Sequence, residues 1–210
     1  NLLSGHGYSE LLHGLDVHQP PMVTLLAVCG WSLHLPIAWV AALPALVVVG
    51  SLTVFPLYSL GKLIYNPTAG LMAALAGALH PALAVKPLYW GSMTELPFML
   101  AVLWGLYFTY KTADALLRQR QGIKQWGWPL MMGVAFGLGY LARPEALVFM
   151  ASMMLYLLII WVTGKRRHVI GLLLAGVLAV SALMLTASPY LIYLHRVTGH
   201  WVLSGKAGTS

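Results

Sequence analysis

The sequence predicts an all-α, polytopic integral membrane protein, on the evidence of its composition and of the spacing of its apolar runs. Sixty per cent of the 210 residues are hydrophobic and 8% are charged, whereas a soluble domain carries about a quarter charged residues. The apolar residues form successive runs near the length of about twenty that crosses a hydrocarbon core as a helix.

The apolar runs, taken in order, predict one juxtamembrane helix followed by six membrane spans. Residues 18–61 contain no Asp, Glu, Lys or Arg, which is too long for one crossing, so this run is expected to divide near residues 31–36. Its first part is expected to form a short amphipathic helix at the interface, and the span that follows should bend at Pro44 and Pro56. The predicted elements are an interfacial helix at 22–32 and spans near 36–64, 70–85, 94–110, 126–141, 146–163 and 169–192.

Two polar segments are predicted between and after these spans. Residues 111–124 form the most polar stretch of the chain and are expected to be an aqueous loop, and residues 193–210 are expected to emerge as a polar tail. The first twenty residues are polar and irregular, without a basic region that leads into an apolar run, so they do not resemble a signal peptide. Residues 1–7 are typical of a helix end running into a loop. We therefore expect that at least one further element precedes this chain.

The distribution of charge orients the predicted spans. Cytoplasmic loops are enriched in Lys and Arg, and the loops on one side hold eight of the 12 cations, namely Lys62, Lys111, Arg118, Arg120, Lys124, Lys165, Arg166 and Arg167. The opposite, external side holds four acids and the other four cations, namely Glu10, Asp16, Glu95, Glu145, Lys86, Arg143, Arg196 and Lys206. A site is expected on the external side, because charges at a membrane boundary are usually functional.

The net charge of +7 and the single cysteine exclude two other classes of protein. The cations are scattered between apolar runs rather than gathered on one face with aromatic residues, so no nucleic-acid partner is expected. Cys29 alone makes neither an internal disulfide nor a thiolate metal cage.

The first candidate site is the string Asp16-Val-His18-Gln-Pro-Pro21. Its two prolines restrict the backbone and keep an ordinary helix from forming through His18. These side chains either meet water in a loop or bind substrate or a divalent cation, for which carboxylate and imidazole are suitable ligands.

The second candidate is Glu95, which is followed at once by a wholly apolar run. An acid near a helix N-terminus can be an ordinary start signal, because the helix dipole favours it. A carboxylate at such an apolar boundary, with cations on the same side, is also where a general base or metal ligand would be placed. Both interpretations remain open on the sequence.

The third candidate is Arg143-Pro144-Glu145, a tight turn between two apolar helices. Arg143 either pairs internally with Glu145 or binds an anion, and its planar fork matches a phosphate. Gly133 and Gly137, at four-residue spacing before the turn, predict a close helix-packing face.

These strings, in this order, resemble the polytopic glycosyltransferases of the C-type fold, specifically the bacterial relatives of dolichyl-phosphate-mannose protein mannosyltransferases and of lipid A aminoarabinose transferases. The resemblance extends over nearly the whole chain. It is carried by Asn1-Leu-Leu-Ser-Gly-His-Gly7, His18-Gln-Pro-Pro21, Tyr58-Ser-Leu-Gly-Lys62, Thr94-Glu95, Leu141-Ala-Arg-Pro-Glu-Ala-Leu147, Ser188-Pro-Tyr190 and Trp201-Val-Leu-Ser-Gly-Lys206.

The resemblance implies transfer of a sugar from a polyprenyl-phosphate donor to a glycan, lipid or protein acceptor, at the periplasmic side of a bacterial inner membrane. It implies catalytic roles for Glu95 and Asp16 and a divalent cation held by His18 and Glu95. The donor phosphate and its surroundings would be bound by Arg143, Lys86, Lys206 and Glu145.

The resemblance also implies that the main catalytic acid of the family precedes Asn1. This chain is then expected to be part of the transmembrane core, with a preceding span and an external acidic loop outside it.

Two functions of other classes compete with this interpretation. A transporter or lipid flippase would place charges near the membrane midplane and carry broken helices in paired repeats, and neither feature is visible in the sequence. A non-catalytic membrane scaffold would leave His18, Glu95 and Arg143 far apart.

Overall fold

Where the structure describes the chain, the regular secondary structure is helical apart from one two-residue antiparallel pair near the N-terminus, β1 (Ser9–Glu10) with β2 (Gly14–Leu15). The computed structural model describes residues 9–10, 14–15, 21–31, 38–80, 94–118, 124–163 and 169–203. The helices in these ranges are α1 (Met22–Trp31), α2 (Ala38–Leu52), α3 (Val54–Ile64), α4 (Pro67–Leu79), α5 (Glu95–Leu117), α6 (Lys124–Ala142), α7 (Ala146–Thr163) and α8 (Val169–Thr198). The all-α prediction is confirmed.

Several helices are long and apolar enough to cross a membrane. Among the described residues, three stretches meet that criterion, Leu43–Ile64, Ala146–Thr163 and Val169–Thr198. The shorter apolar helix α4 has 13 residues, so it spans about 20 Å of the roughly 30 Å hydrocarbon core. The chain is a polytopic membrane protein, and the six crossings remain a prediction.

The first predicted span consists of two helices that meet at Thr53. Pro56 has no N–H to donate and its ring clashes with the carbonyl of Leu52, which ends α2 there. The Thr53 hydroxyl donates to the Gly50 carbonyl at 2.6 Å and closes the break. Pro44 is accommodated inside α2.

Helix α4 lies earlier in the chain than the predicted span at 70–85. Asn66 caps its N-terminus by accepting a hydrogen bond from the Ala69 N–H at 2.8 Å, and Pro67 occupies the first turn, where its missing N–H has no cost. The helix ends at Leu79 because His80 precedes Pro81 and is extended, with ψ at 121°.

The predicted amphipathic character of the helix at 22–32 is wrong. Helix α1 is apolar around its whole circumference, and Leu26 packs against a buried pair formed by Leu46 of α2 and Leu96 of α5. It therefore packs as part of the bundle rather than presenting a polar face to water.

The predicted aqueous loop at 111–124 is wrong over its first half, because α5 continues to Leu117. Thr112, Ala113 and Ala115 are buried, so this segment has an interior face. Its charged residues have partners of their own: the Lys111 amine lies 5.5 Å from the centre of the Tyr107 ring, and Arg118 pairs with Asp114. Because a helix can be apolar on one face and charged on another, a polar segment of this kind need not be a loop.

The predicted polar tail at 193–210 also begins too early, since α8 continues to Thr198. Leu194 is fully buried and Tyr190 is nearly so, which extends the apolar face beyond residue 192. His195 and Arg196 in the last turn suit the negative end of the helix dipole.

Helix α6 lies at the centre of the bundle, between α5 and α8. It runs antiparallel to α5, with Phe136 filling the space that a side chain at Gly105 would need. It runs parallel to α8, where Gly133 abuts the Ala179 carbonyl and Gly137 lies against Thr186, which confirms the predicted packing face. This arrangement brings the start of α5, the end of α6, the start of α7 and the end of α8 together. We name this the Arg143 end and the opposite end of α5 the Arg118 end.

Candidate functional site

Arg143 lies between two carboxylates at the Arg143 end. Its Nη1 atom donates to Glu95 Oε1 at 3.3 Å, and its Nε atom lies 3.9 Å from Glu145 Oε2. The side chains are 36% exposed for Arg143, 53% for Glu95 and 56% for Glu145, so all three are accessible. The structure thus brings together three of the residues predicted from sequence.

The turn between α6 and α7 holds Arg143 and Glu145 side by side. The Arg143 N–H donates to the Gly139 carbonyl at 2.8 Å and finishes α6. Pro144 cannot continue that helix, and the chain starts α7 at once, with the Val148 N–H bonded to the Glu145 carbonyl at 3.0 Å. The two charged side chains therefore both extend from the turn that connects α6 to α7.

Glu95 is the first residue of α5. Its carboxylate is favoured there by the positive end of the helix dipole and by the facing guanidinium. One turn further on, Phe98 packs edge-on against Phe149 of α7, with ring centres 5.8 Å apart. This aromatic contact packs α5 against α7 within about one helical turn of Glu95 and Glu145. It helps to position Glu95 near the turn between α6 and α7.

Among the described residues, the contacts of Arg143 use only part of its hydrogen-bonding capacity. A guanidinium carries five N–H donors, while 3.3 Å is long for a charge-assisted bond and 3.9 Å is beyond hydrogen-bonding distance. The internal Arg143 to Glu145 pair anticipated from sequence is present, but it is the looser of the two contacts. An anion arriving at this end can be bound by Arg143 without breaking a strong bond.

An apolar groove of about 410 Å³ runs along α5, and the three charged residues are not among those that line it. Pro97 lies nearest to Glu95 in sequence, and Phe108 lies eleven residues further along the helix, so the groove extends about 16 Å. Trp104 stacks on Phe108, which in turn stacks on Trp128 of α6, at 5.5 Å and 6.2 Å between ring centres. Helices α1, α2, α5 and α6 line it, through residues that include Leu26, Val49, Leu100, Trp104, Ala135 and Leu138.

Four of the predicted site residues lie outside the described residues, namely Asp16, His18, Lys86 and Lys206. Their roles remain predictions. Across the described residues there is no group of three or more His, Cys, Asp or Glu that could hold a metal ion, and Glu95 faces a guanidinium there. The metal pair His18 and Glu95 also remains a prediction.

Sequence reasoning missed the side chains that position the charges. Phe98, Phe149 and Tyr140 all lie within one turn of a predicted site residue. Tyr140 is almost fully buried, and its O–H donates to the Leu203 carbonyl at 2.6 Å across 63 residues. The only signal available in sequence was their aromatic character beside a charged residue at a helix end.

The fold and the site define a helical membrane protein with an arginine and two carboxylates together at one end of α5 and an apolar groove along that helix. A family model described as dolichyl-phosphate-mannose-protein mannosyltransferase matches residues 18–194, and the chain belongs to that family. The match includes Glu95, Arg143 and Glu145 and makes the chain a membrane glycosyltransferase. No curated protein and no solved structure matches it.

Proposed function

We propose that this chain forms part of the transmembrane core of an enzyme that transfers a sugar from a polyprenyl-phosphate donor to an acceptor hydroxyl. The acceptor is a glycan, a lipid or a protein. The reaction is proposed to take place at the Arg143 end, on the periplasmic side of a bacterial inner membrane. Family membership supports glycosyl transfer, and the geometry of the Arg143 end supports the donor class and the placement of the reaction.

One observation carries the proposal: Arg143 lies between Glu95 and Glu145, and an apolar groove runs along α5 from Pro97, two residues after Glu95. A polyprenyl-phosphate sugar has the complementary arrangement, since its phosphate joins a polar sugar to a long hydrocarbon chain. With the phosphate at Arg143, the first isoprene units would enter the groove between α5 and α6. Neither a nucleotide sugar nor a free sugar would need that groove.

Transfer requires a hydroxyl to attack the anomeric carbon of the donor. The new bond joins the acceptor oxygen to that carbon, the bond from the carbon to the phosphate oxygen breaks, and the electron pair leaves with the polyprenyl phosphate. The phosphate gains one negative charge, which the Arg143 guanidinium stabilises as it develops. The hydroxyl proton is accepted by a carboxylate, the role proposed for Glu95, with Asp16 as a further acid of the same site.

The proposed orientation rests on the positive-inside rule. Lys111 lies six residues before the end of α5, Arg118 follows its last residue, and α6 begins at Lys124, so these cations lie towards the Arg118 end. Because an excess of cations is expected on the cytoplasmic side, Glu95 and Arg143 are proposed to face the periplasm.

The proposal is tested by transfer from radiolabelled polyprenyl-phosphate mannose in the full-length protein carrying Glu95→Gln. We expect the transfer rate to fall about 100-fold or more, because the amide cannot accept the proton. Glu145→Gln is the matched control and is expected to retain transfer within about fivefold, since its contact with Arg143 is weaker. Normal transfer by Glu95→Gln would remove Glu95 from the mechanism, and a wild-type protein that uses only nucleotide sugars would overturn the donor class.

A further inference from the structure

The segment after α8 folds back on the helix and places an exposed tryptophan flat against a histidine. Gly199 has φ at +73°, in the left-handed region that favours glycine, and its N–H donates to the His195 carbonyl at 2.9 Å. The reversal brings Trp201 over His195, with ring centres 4.2 Å apart and planes within 5° of parallel. We refer to these two rings as the His195–Trp201 stack.

Contacts of the residues before and after Trp201 hold the stack in place. Before Trp201, the His200 N–H donates to the Thr198 hydroxyl at 3.3 Å. After Trp201, the Leu203 carbonyl accepts the hydrogen bond from the buried Tyr140 O–H, and Val202 packs against the cluster around Tyr140 and Tyr190. The indole is therefore fixed in orientation rather than free to lie along the bilayer surface.

One face of the indole is covered and the other is open. Trp201 is 70% exposed although His195 lies flat against it, so the exposed area belongs to the opposite face and the edges. Within the part of the chain that the structure describes, the His195 Nδ1 atom is buried without a hydrogen-bond partner. A buried polar atom without a partner is costly, so stability alone does not explain why this imidazole backs the indole.

The stack lies at the Arg143 end. Helices α6 and α8 run in parallel, so the end of α8 adjoins the end of α6. Tyr140, which binds the segment beside Trp201, is one helical turn before Arg143. The family match ends at residue 194, before both rings of the stack.

We propose that the open face of Trp201 binds the apolar face of a pyranose ring, as a carbohydrate-binding platform beside the transfer site. A pyranose with several C–H bonds on one face packs flat on an indole through dispersion and C–H to π contacts. His195 holds the indole in place from behind and Tyr140 anchors the segment. The inference rests on the proposed function, and the ring belongs either to the donor sugar or to an acceptor glycan.

Membrane anchoring is the competing role for an exposed tryptophan that follows the end of a long apolar helix. Tryptophans at the interface stabilise membrane placement through their amphipathic rings, and such a residue would affect folding or insertion without affecting a sugar. Tyr65, 79% exposed after α3, provides a matched exposed aromatic elsewhere. The sugar binding of Trp201→Ala should therefore be compared with that of Tyr65→Ala. Trp201→Phe keeps an aromatic ring and should retain part of the sugar binding.

The test uses full-length protein in nanodiscs and three measurements: affinity for polyprenyl-phosphate mannose, affinity for bare polyprenyl phosphate, and the acceptor KM in a transfer assay. If Trp201 binds the donor sugar, Trp201→Ala lowers the affinity for polyprenyl-phosphate mannose about fivefold to tenfold and leaves the affinity for bare polyprenyl phosphate unchanged. If it binds an acceptor glycan, the acceptor KM rises by a similar factor, with kcat nearly unchanged and both lipid affinities unchanged.

The inference is overturned if Trp201→Ala leaves all three measurements at their wild-type values. It is also overturned if both lipid affinities fall together with folded yield, which is the behaviour of a membrane anchor. A wild-type protein that binds neither lipid would instead contradict the proposed function, so the two failures are distinguishable.

Discussion

The two ends of α5 carry the same kind of ion pair in two different settings. At the Arg118 end, Arg118 pairs with Asp114 four residues earlier in the same helix, and its side chain is 66% exposed. At the Arg143 end, Glu95 pairs with Arg143, which lies 48 residues away in the turn between α6 and α7. One pair needs a single helix, and the other needs the assembled bundle.

The difference indicates which pair is structural and which forms a site. An ion pair between residues i and i+4 on a helix surface contributes about 0.3–0.5 kcal/mol to helix stability. The guanidinium of Arg143 lies between two acids at long distances, at the end of α5 where the lining of the apolar groove starts with Pro97. A cation held by two long contacts can bind an arriving phosphate more readily than one that is paired closely within its own helix.

Exchanging the charges at the Arg143 end is expected to have the largest effect. Glu95→Arg combined with Arg143→Glu, in a Glu145→Gln background that avoids two facing acids, should restore much of the thermal stability lost in Glu95→Arg alone. Transfer from polyprenyl-phosphate mannose should stay reduced about 100-fold or more, because the acid and the cation have exchanged places. Recovery of transfer along with stability would show that the pair only holds helices together.

Filling the groove is expected to have an intermediate effect. Leu138→Trp adds bulk at a 41% exposed position that lines the groove, so the bundle should still fold. The KM for the polyprenyl donor should rise about tenfold, since the tail loses apolar contact area. Val177→Trp, at a 60% exposed position in a separate groove between α7 and α8, is the matched control. Equal effects of the two variants on KM would argue against a tail in the α5 groove.

Removing the local pair is expected to have the smallest effect. Arg118→Gln should lower the free energy of unfolding by about 0.3–0.5 kcal/mol, the usual size for an exposed pair within one helix. Transfer should remain within about twofold of wild type, because no substrate group is proposed to reach the Arg118 end. Thermal unfolding in detergent and a transfer assay on the same preparation measure both. A large loss of transfer would remove the distinction between the ends.

The helices themselves were largely predictable from apolar runs and prolines, and the errors at residues 111–117 and 193–198 have a common cause. The segment after Lys111 is polar in sequence, yet it remains helical because Lys111 lies over the Tyr107 ring while Thr112 and Ala113 face the interior. Similarly, α8 continues beyond residue 192 because Leu194 is buried. Polarity averaged along the chain conceals a helix that is polar on one face only.

The components of the site were predictable, but their pairing was not. Glu95 and Arg143 each lie at the end of an apolar run and were recognisable as candidates. Local spacing favours Arg143 with Glu145, yet the shorter contact is with Glu95, 48 residues away. That contact depends on antiparallel packing of α5 with α6 and on the Phe98 to Phe149 contact. Contacts that arise from packing between helices are not encoded in any local motif.

Arg143 is proposed to bind the donor phosphate, whereas Arg118 is proposed to have only a local structural role. The most direct test is the affinity of the full-length protein for polyprenyl phosphate in wild type, Arg143→Gln and Arg118→Gln. We expect Arg143→Gln to weaken binding about tenfold to 100-fold, the effect of losing a charge-assisted phosphate contact, and Arg118→Gln to bind as wild type does. Equal affinity in all three proteins would contradict the proposed role of Arg143.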